Sequence, residues 1–233
     1  MNLPSERYTG MVRQAKLQCD DIMASSFENW SEALTQVAFE VPIHSVLFGP
    51  SDLNRLLSSN ANYASSFGRR PQSVDDRLAA ILIDLPSEGH YFPKIGPVSW
   101  KERPEAYAVS GLRPFDRLAL LASCITDRMA ASLQIFVEAE VPTYLHFFPL
   151  RDMTMVPEAR ITVRSGRVSH ARWSRPAAAR DYPGVRASLM SFARATSAEM
   201  PMSDVVLDLC IDDRSQNGEV RLIEFNPKLA EVS

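Results

Sequence analysis

Four strand-like segments in the last third of the sequence constrain the fold more than any other feature. Residues 159–164, ARITVR, alternate apolar and polar side chains, as a half-buried strand does. A Ser-Gly pair then predicts a tight turn, and residues 168–173, VSHARW, supply the partner strand. Residues 205–211, VVLDLCI, and 220–226, VRLIEFN, predict a second hairpin around the turn-rich DRSQNG. Hairpins at the C-terminal end, combined with helical patterns earlier in the chain, predict an α+β protein.

Helical and strand-like patterns are mixed through the rest of the sequence. Strands are predicted over residues 90–96 and 144–148, and a loop over the small, polar residues 60–72. Helices are predicted over residues 1–25, as a mostly helical lead-in, and over 115–138, as one continuous helix. Two further helices are predicted from their caps: one with Ser51 as its N-cap, and one over 73–85 that a capping box of Ser73 and Asp76 begins. Pro183 begins the last predicted helix, which has Val185, Leu189, Phe192 and Thr196 on one face.

Composition and charge narrow the class of protein. A length of 233 residues suits one large domain or two closely joined subdomains, and the net charge of −3 argues against a dedicated nucleic-acid binder. No apolar run approaches the roughly 20 residues that span a bilayer, and the first residues lack the apolar core of a signal peptide. The three cysteines, Cys19, Cys124 and Cys210, are far apart and in no metal-binding spacing. We therefore expect reduced thiols, a cytoplasmic location and no membrane association.

The last hairpin carries polar side chains inside apolar strands. Because side chains alternate along a strand, the last strand is predicted to place Val220, Leu222, Glu224 and Asn226 on one face. If the hairpin closes symmetrically around Gln216, Asp208 lies opposite Glu224. Two adjacent carboxylates repel, and a divalent cation removes that repulsion. Carboxylate and amide oxygens suit magnesium held together with nucleotide phosphates, so Asp208, Glu224 and Asn226 are a candidate Mg²⁺ site.

A second interpretation of the same residues needs no metal. Asp208 and Glu224 would instead pair with arginines of the strand over 159–164, where Arg160 and Arg164 share a face. The spacing alone leaves both interpretations open.

Basic residues elsewhere suggest contacts with anions. Lys94 and Lys101 are the first and last residues of the segment KIGPVSWK. A lysine here could reach a phosphate, although a surface lysine is the commoner case. Neither a P-loop nor a GxGxxG turn is present. Residues 164–186 hold six arginines and one aspartate, which suits phosphate, RNA, an acidic partner or a solvated face.

Several motifs, taken in order, resemble the cell division cycle protein 123 family, which has an ATP-grasp fold. The matching stretches span roughly residues 26–227 and are SFENWSEAL, HYFPKIGPVSWKE, FDRLALLASCITD, PEARITVRSGRV, VVLDLCID and VRLIEFNP. The resemblance implies a single ATP-grasp-type unit over residues 1–233. It would have an N-terminal subdomain over 1–149, a C-terminal subdomain over 150–233 and ATP between them.

The resemblance also implies roles for individual residues. Lys94, Lys101 and Arg160 would contact ATP phosphates. The hinge, Leu150, Arg151, Asp152 and Met153, would hold adenine through backbone groups. Asp208, Glu224 and Asn226 would bind magnesium, and Asp208 would contact ATP through it. The cofactors implied are therefore ATP and Mg²⁺.

Three positions depart from the family pattern. Trp100 stands where the family has proline, Glu224 replaces the closing aspartate, and Trp173-Ser174-Arg175 stands where the family has Gln-Arg-Asp. The family's eukaryotic members continue beyond the FNP motif, whereas this sequence ends at Ser233.

The resemblance implies three functions. Eukaryotic members are chaperones that join the gamma and alpha subunits of translation initiation factor two, and the resemblance also implies a role in the cell cycle. The first function is therefore an assembly chaperone or binding module for a gamma subunit. The second is an ATP-dependent carboxylate–amine ligase, which would make the protein an enzyme. The third is a secreted effector that engages a host's translation machinery. No direct contact with nucleic acid is expected from any of them.

Overall fold

Two compact units make up the protein. The computed structural model describes residues 6–16, 19–66, 70–74, 76–80, 82, 84–85, 89–173, 184–212, 214 and 218–227. Unit 1 comprises Met1–Cys19 and Pro42–Leu150, and unit 2 comprises Asp20–Val41 and Arg151–Ser233. The break at Leu150 lies one residue from the predicted division at 149/150, but Asp20–Val41 belongs with the C-terminal part of the chain.

Helices and strands are mixed along the whole chain. The helices are α1 Glu6–Lys16, α2 Cys19–Ala24, α3 Glu32–Gln36, α4 Pro50–Ser58, α5 Ala61–Ser66, α6 Asp76–Ala80, α7 Pro114–Ser123, α8 Asp127–Glu138 and α9 Val185–Ser197, with 3₁₀ turns at Phe27–Asn29 and Pro104–Val109. The strands are β1 His44–Phe48, β2 Tyr91–Ile95, β3 Val98–Ser99, β4 Thr143–Pro149, β5 Glu158–Arg164, β6 Arg167–Trp173, β7 Val205–Asp212 and β8 Glu219–Pro227. The strands form two four-stranded sheets, β1-β4-β2-β3 in unit 1 and β6-β5-β7-β8 in unit 2.

Three predictions of where helices lie were wrong. Helix α4 begins at Pro50 with Gly49 as its N-cap, two residues before the predicted Ser51 cap, because proline is accommodated in the first helical turn. The predicted loop over 60–72 contains α5, and Asn60 caps it by accepting a hydrogen bond from the Tyr63 amide at 2.9 Å. The helix predicted over 73–85 is confined to Asp76–Ala80 among the described residues.

The helix predicted over 115–138 is two helices. Helix α7 ends at Ser123, and Thr126 caps α8 by accepting a hydrogen bond from the Met129 amide at 3.3 Å. The two axes differ by 110°. In the part of the chain that the structure describes, no single helix could cross a membrane, and only this bent pair has the length and composition when both members are combined.

Residues 20–41 complete unit 2 along one edge of its sheet. Ala38 forms a parallel bridge with Leu222, whose amide donates to the Val37 carbonyl at 2.9 Å. The indole of Trp30 stacks on the ring of Phe225, with centroids 5.2 Å apart. These contacts cover the β8 edge and explain why a segment so early in the sequence belongs to the C-terminal unit.

A β-bulge in β8 corrects the predicted alternation. Asp208 pairs with Glu224, but the next residue of β7, Leu209, pairs with Leu222, so Ile223 is the extra residue. Leu222 and Phe225 therefore both enter the apolar core of unit 2, together with residues of α9. Glu224 and Asn226 share the other face with Arg221, and the prediction that Val220 and Leu222 lie with them was wrong.

Candidate functional site

The sheet of unit 2 has one apolar face and one charged face. Register places three rows across the strands on the same face: Arg172, Arg160, Asp208 and Glu224; His170, Thr162, Val206 and Asn226; and Glu158, Cys210 and Arg221. We call these eleven residues the charged face. The predicted pairing of Asp208 with Glu224 is confirmed, whereas Gln216 lies outside the described residues.

A bidentate ion pair lies at the centre of the charged face. The Arg160 guanidinium donates from Nε to Asp208 Oδ1 at 2.7 Å and from Nη2 to Asp208 Oδ2 at 2.6 Å. The Asp208 side chain is 3% exposed, whereas that of Arg160 is 41% exposed. The hydrogen bonds to Asp208, assisted by the charges of Glu224 and Glu158, hold the pKa of Arg160 above its usual value. The arginine pairing considered as the alternative to a metal is thus present at Arg160.

Oxygen donors for a hard cation still lie on this face. Directly opposed residues of antiparallel strands have Cβ atoms roughly 4.5–5.5 Å apart, so the Asp208 and Glu224 carboxylates are neighbours, and Asn226 follows on the same face. Two carboxylates and one amide fit magnesium as a donor set. Among the described residues, no group of three His, Cys, Asp or Glu side chains is arranged to hold a metal ion. Magnesium at Asp208, Glu224 and Asn226 therefore stays a prediction.

The two predicted lysines lie in unit 1, around the β2–β3 turn. Lys94 is half-buried on β2, opposite Ser99 and His146, with Nζ 5.8 Å from the centroid of the Phe148 ring. Lys101 is exposed just after β3. Between them, Trp100 is fully buried and donates from Nε1 to the Leu121 carbonyl at 3.0 Å. Trp100 therefore anchors this turn in the core of unit 1.

The predicted hinge, residues 150–153, has no regular secondary structure. The amide of Leu150 donates to the His90 carbonyl at 2.9 Å. Asp152 accepts hydrogen bonds from the amide and hydroxyl of Thr154, at 2.9 and 2.6 Å, so its carboxylate shapes the local turn. Arg151 donates to Glu40 at 2.7 Å. The described contacts fix the side chains of Arg151 and Asp152, and an adenine contact through their backbone stays a prediction.

Sequence reasoning missed an ion network in unit 2. Arg214 donates to both oxygens of Asp212, at 2.8 and 2.9 Å, and to Glu40 at 2.6 Å. Its guanidinium also lies 4.8 Å from the centroid of the Phe39 ring. Glu40 thereby joins Arg151 and Arg214. Only the Asp-Asp-Arg run at the end of β7 hinted at this network, because Glu40 lies far away in the sequence.

The arginine-rich segment is partly described. Its exposed arginines are Arg164, Arg167, Arg172 and Arg186. Two other residues of this segment, Ser174 and Arg175, lie outside the described residues.

Comparisons with known proteins identify the fold. No protein-family model and no curated sequence matches this chain. The structure of Cdc123 from Schizosaccharomyces pombe matches with a TM-score of 0.56 and 17% identity, over 90% of this chain and 85% of that chain. A C-terminally truncated Cdc123 from the same organism matches with a TM-score of 0.59 and 17% identity, over 89% of this chain and 85% of that chain.

The chain has a Cdc123-like fold. The predicted α+β class is thereby confirmed, with an antiparallel sheet in each unit. The structural likeness suggested by the ordered motifs is confirmed as well. At 17% identity the likeness establishes the fold alone.

Proposed function

We propose that the charged face of unit 2 binds ATP together with Mg²⁺. The observation that carries the proposal is the row Arg160, Asp208 and Glu224, continued by Asn226, in a chain with a Cdc123-like fold. An arginine, a side chain that binds phosphate well, therefore lies directly beside carboxylate and amide oxygens, which are suitable ligands for magnesium.

Arg160 can keep its ion pair and still bind phosphate. A guanidinium has five N–H donors, and Asp208 engages Nε and Nη2. The Nη1 group and the exposed part of the side chain are then available for a phosphate oxygen. In this arrangement Arg160 contacts phosphate, while Asp208, Glu224 and Asn226 hold Mg²⁺, which neutralises both carboxylate and phosphate charge.

Buried charge favours this proposal over a purely structural pair. A buried carboxylate is costly, and replacing such an ion pair by apolar residues is often neutral or stabilising. A second carboxylate, Glu224, lies directly opposite Asp208, and like charges at opposed positions repel. A cation-binding role accounts for both carboxylates.

The protein's role with bound nucleotide is proposed from the resemblance. We propose an assembly chaperone or binding module for a translation initiation factor gamma subunit, with ATP as a bound ligand that is not turned over. Lys94 and Lys101 of unit 1, and the backbone of residues 150–153, are proposed as further ATP contacts. Lys94→Ala and Lys101→Ala test the lysines separately by their effect on ATP affinity.

The test combines turnover with partner binding. We expect purified protein to retain ATP with Mg²⁺ without steady ADP release, and to bind a purified gamma subunit in a pull-down. Steady ADP release stimulated by amino acids or peptides would contradict the chaperone and identify an ATP-dependent ligase. Failure to bind ATP at all would contradict the nucleotide site itself.

A further inference from the structure

One sheet edge of unit 2 is strongly basic. Among the described residues, β6 pairs only with β5, so it forms the edge opposite β8. Arg164 at the end of β5, Arg167 and Arg172 on β6, and Arg186 on the adjoining helix α9 are all exposed. We call these four residues the basic edge. Neither β6 nor α9 contains an aspartate or glutamate, although the whole chain has a net charge of −3. Positive charge is therefore concentrated here.

A small pocket opens beside the basic edge. Its volume is about 70 Å³, and its apolar lining includes Ile161, Ala171, Leu189 and Met190. Arg172 and Arg186 also line it. A pocket of this size admits the end of one apolar side chain, with two arginine residues in its lining.

Repulsion within the basic edge favours an anionic occupant. Arg164 lies directly opposite Arg167, and Arg160 lies opposite Arg172. Like charges at opposed positions destabilise a sheet. Asp208 relieves this repulsion at Arg160, and an acidic ligand would relieve it for the other arginines.

The backbone of β6 is poorly suited to pairing with a strand of a partner protein, so the partner would be recognised through charge. The register of β5 and β6 shifts at Val163, which leaves Ser169 as the extra residue of a bulge. Bulges and charged side chains on an edge strand disfavour pairing with another strand. A partner that binds here therefore does so mainly through side chains.

We propose that the basic edge binds an acidic segment of a partner protein, which places one apolar side chain in the pocket. Arg167 and Arg172 are five residues apart, or about 16 Å along the strand, so several carboxylates of one segment can be engaged together. The pocket lining includes one aromatic residue, Trp173, but is otherwise mostly aliphatic and small, which favours an apolar peptide side chain over a stacked RNA base. This interaction needs no nucleotide, although Arg172 belongs both to the basic edge and to the charged face.

The test measures binding of a fluorescent acidic peptide, with glutamates flanking two central leucines, without ATP. We expect Arg167→Glu with Arg186→Glu to weaken binding about tenfold or more, because two attractive contacts become repulsive. The control Arg128→Glu, an exposed position in α8 of unit 1, should change the affinity less than about twofold. Raising the salt concentration should weaken binding, and replacing the leucines by serines should weaken it further.

Several results would overturn the proposal. These are no binding to the wild type, unchanged binding to the double variant, equal binding of a peptide with lysines in place of glutamates, or binding of single-stranded RNA but not of the peptide. The double variant should keep the wild-type melting temperature because both positions are exposed. If it does not fold, Arg167→Gln with Arg186→Gln replaces it, with the same expected direction.

Discussion

At the scale of residues, Asp208 and Asp212 lie on the same face of β7, and each is engaged by an arginine. Asp208 is bound from the neighbouring strand by Arg160, and Asp212 is bound by Arg214, two residues further along the chain. The second arginine also donates to Glu40, which lies 174 residues earlier. The first pair lies among the residues proposed to bind Mg²⁺ and ATP, whereas the second joins the end of β7 to the segment next to β8.

Asp212→Asn should destabilise the protein at neutral pH by about 1 kcal/mol, since it weakens charge-assisted hydrogen bonds from a partly exposed arginine. The hydrogen bonds from Arg214 hold the pKa of Asp212 below its usual value. A depressed folded-state pKa stabilises the protein above the unfolded-state pKa, and this stabilisation is lost as the pH falls through the folded-state pKa. The difference between variant and wild type should therefore be full near pH 7 and shrink below about pH 4 in urea unfolding.

The exposed Asp84→Asn serves as the control and should leave the free energy of unfolding nearly unchanged. A difference between Asp212→Asn and wild type that grows toward acid pH would contradict the assigned pairing.

The residue-scale predictions from sequence succeeded where contacts follow strand geometry. Asp208 was expected opposite Glu224 because residues on antiparallel strands pair in a fixed register, and Arg160 was considered as its counter-ion because it alternates on β5. Nothing comparable links Glu40 to Arg214, whose contact depends on how residues 37–39 run beside β8. A single sequence gives no register for such a contact.

At the scale of elements, Asn60 shows why α5 was missed. Its Oδ1 caps the helix, while its Nδ2 donates to the carbonyls of Ala122 and Ile125 at 2.8 and 3.0 Å. Asn60 is 2% exposed, so one buried amide both begins α5 and fixes the end of α7. Small polar residues around it look like a loop in the sequence, and tertiary contacts decide otherwise.

Asn60→Ala should lower the free energy of unfolding by about 2–4 kcal/mol, because it removes the cap and leaves two buried carbonyls with fewer donors. Asn60→Asp keeps the capping oxygen but turns a carboxylate oxygen toward those carbonyls. We expect it to be at least as destabilising as the alanine in chemical denaturation. If Asn60→Asp were close to wild type, the donor role of Nδ2 would be refuted.

The bulge in β8 is the element that strict alternation could not anticipate. Alternation of side chains with a period of two correctly places Glu224 and Asn226 on the same face. It fails at Ile223, because the core residues Leu222 and Phe225 share a face although they are three positions apart. Deleting Ile223 removes the bulge and makes Leu222 and Glu224 consecutive, so plain alternation still places them on opposite faces, and unit 2 should stay folded. Deleting Phe225 makes Glu224 and Asn226 consecutive, so one of them must change face, and it should abolish cooperative folding or cost more than about 3 kcal/mol. Circular dichroism and urea unfolding distinguish these outcomes, and loss of folding in the Ile223 deletion would contradict the bulge.

At the scale of the whole molecule, the chain passes between its two units three times, at residues 19/20, 41/42 and 150/151. Composition and secondary-structure patterns predicted the α+β class, and ordered motifs predicted the Cdc123-like fold. They did not predict that residues 20–41 complete unit 2, because the contacts of Trp30 and Ala38 join positions nearly 200 residues apart in sequence.

A fragment of residues 151–233 should therefore fail to fold by itself, since it lacks Trp30, Leu34 and the segment that covers β8. Joining residues 20–41 to it through a flexible linker should restore cooperative unfolding, measured by circular dichroism. Cooperative unfolding of the fragment alone would show that residues 20–41 are dispensable.

The central claim is that the charged face binds ATP with Mg²⁺, and thermal unfolding with and without this ligand tests it most directly. Mg-ATP at about 100 times its dissociation constant should add about 2.7 kcal/mol, or a rise in melting temperature of roughly 5–10 °C. Glu224→Ala and Asp208→Asn should lose this rise, and so should chelation of magnesium. Glu219→Ala, at an exposed carboxylate on the same strand, should keep it. No rise in the wild type, or a full rise in Glu224→Ala, would contradict the claim.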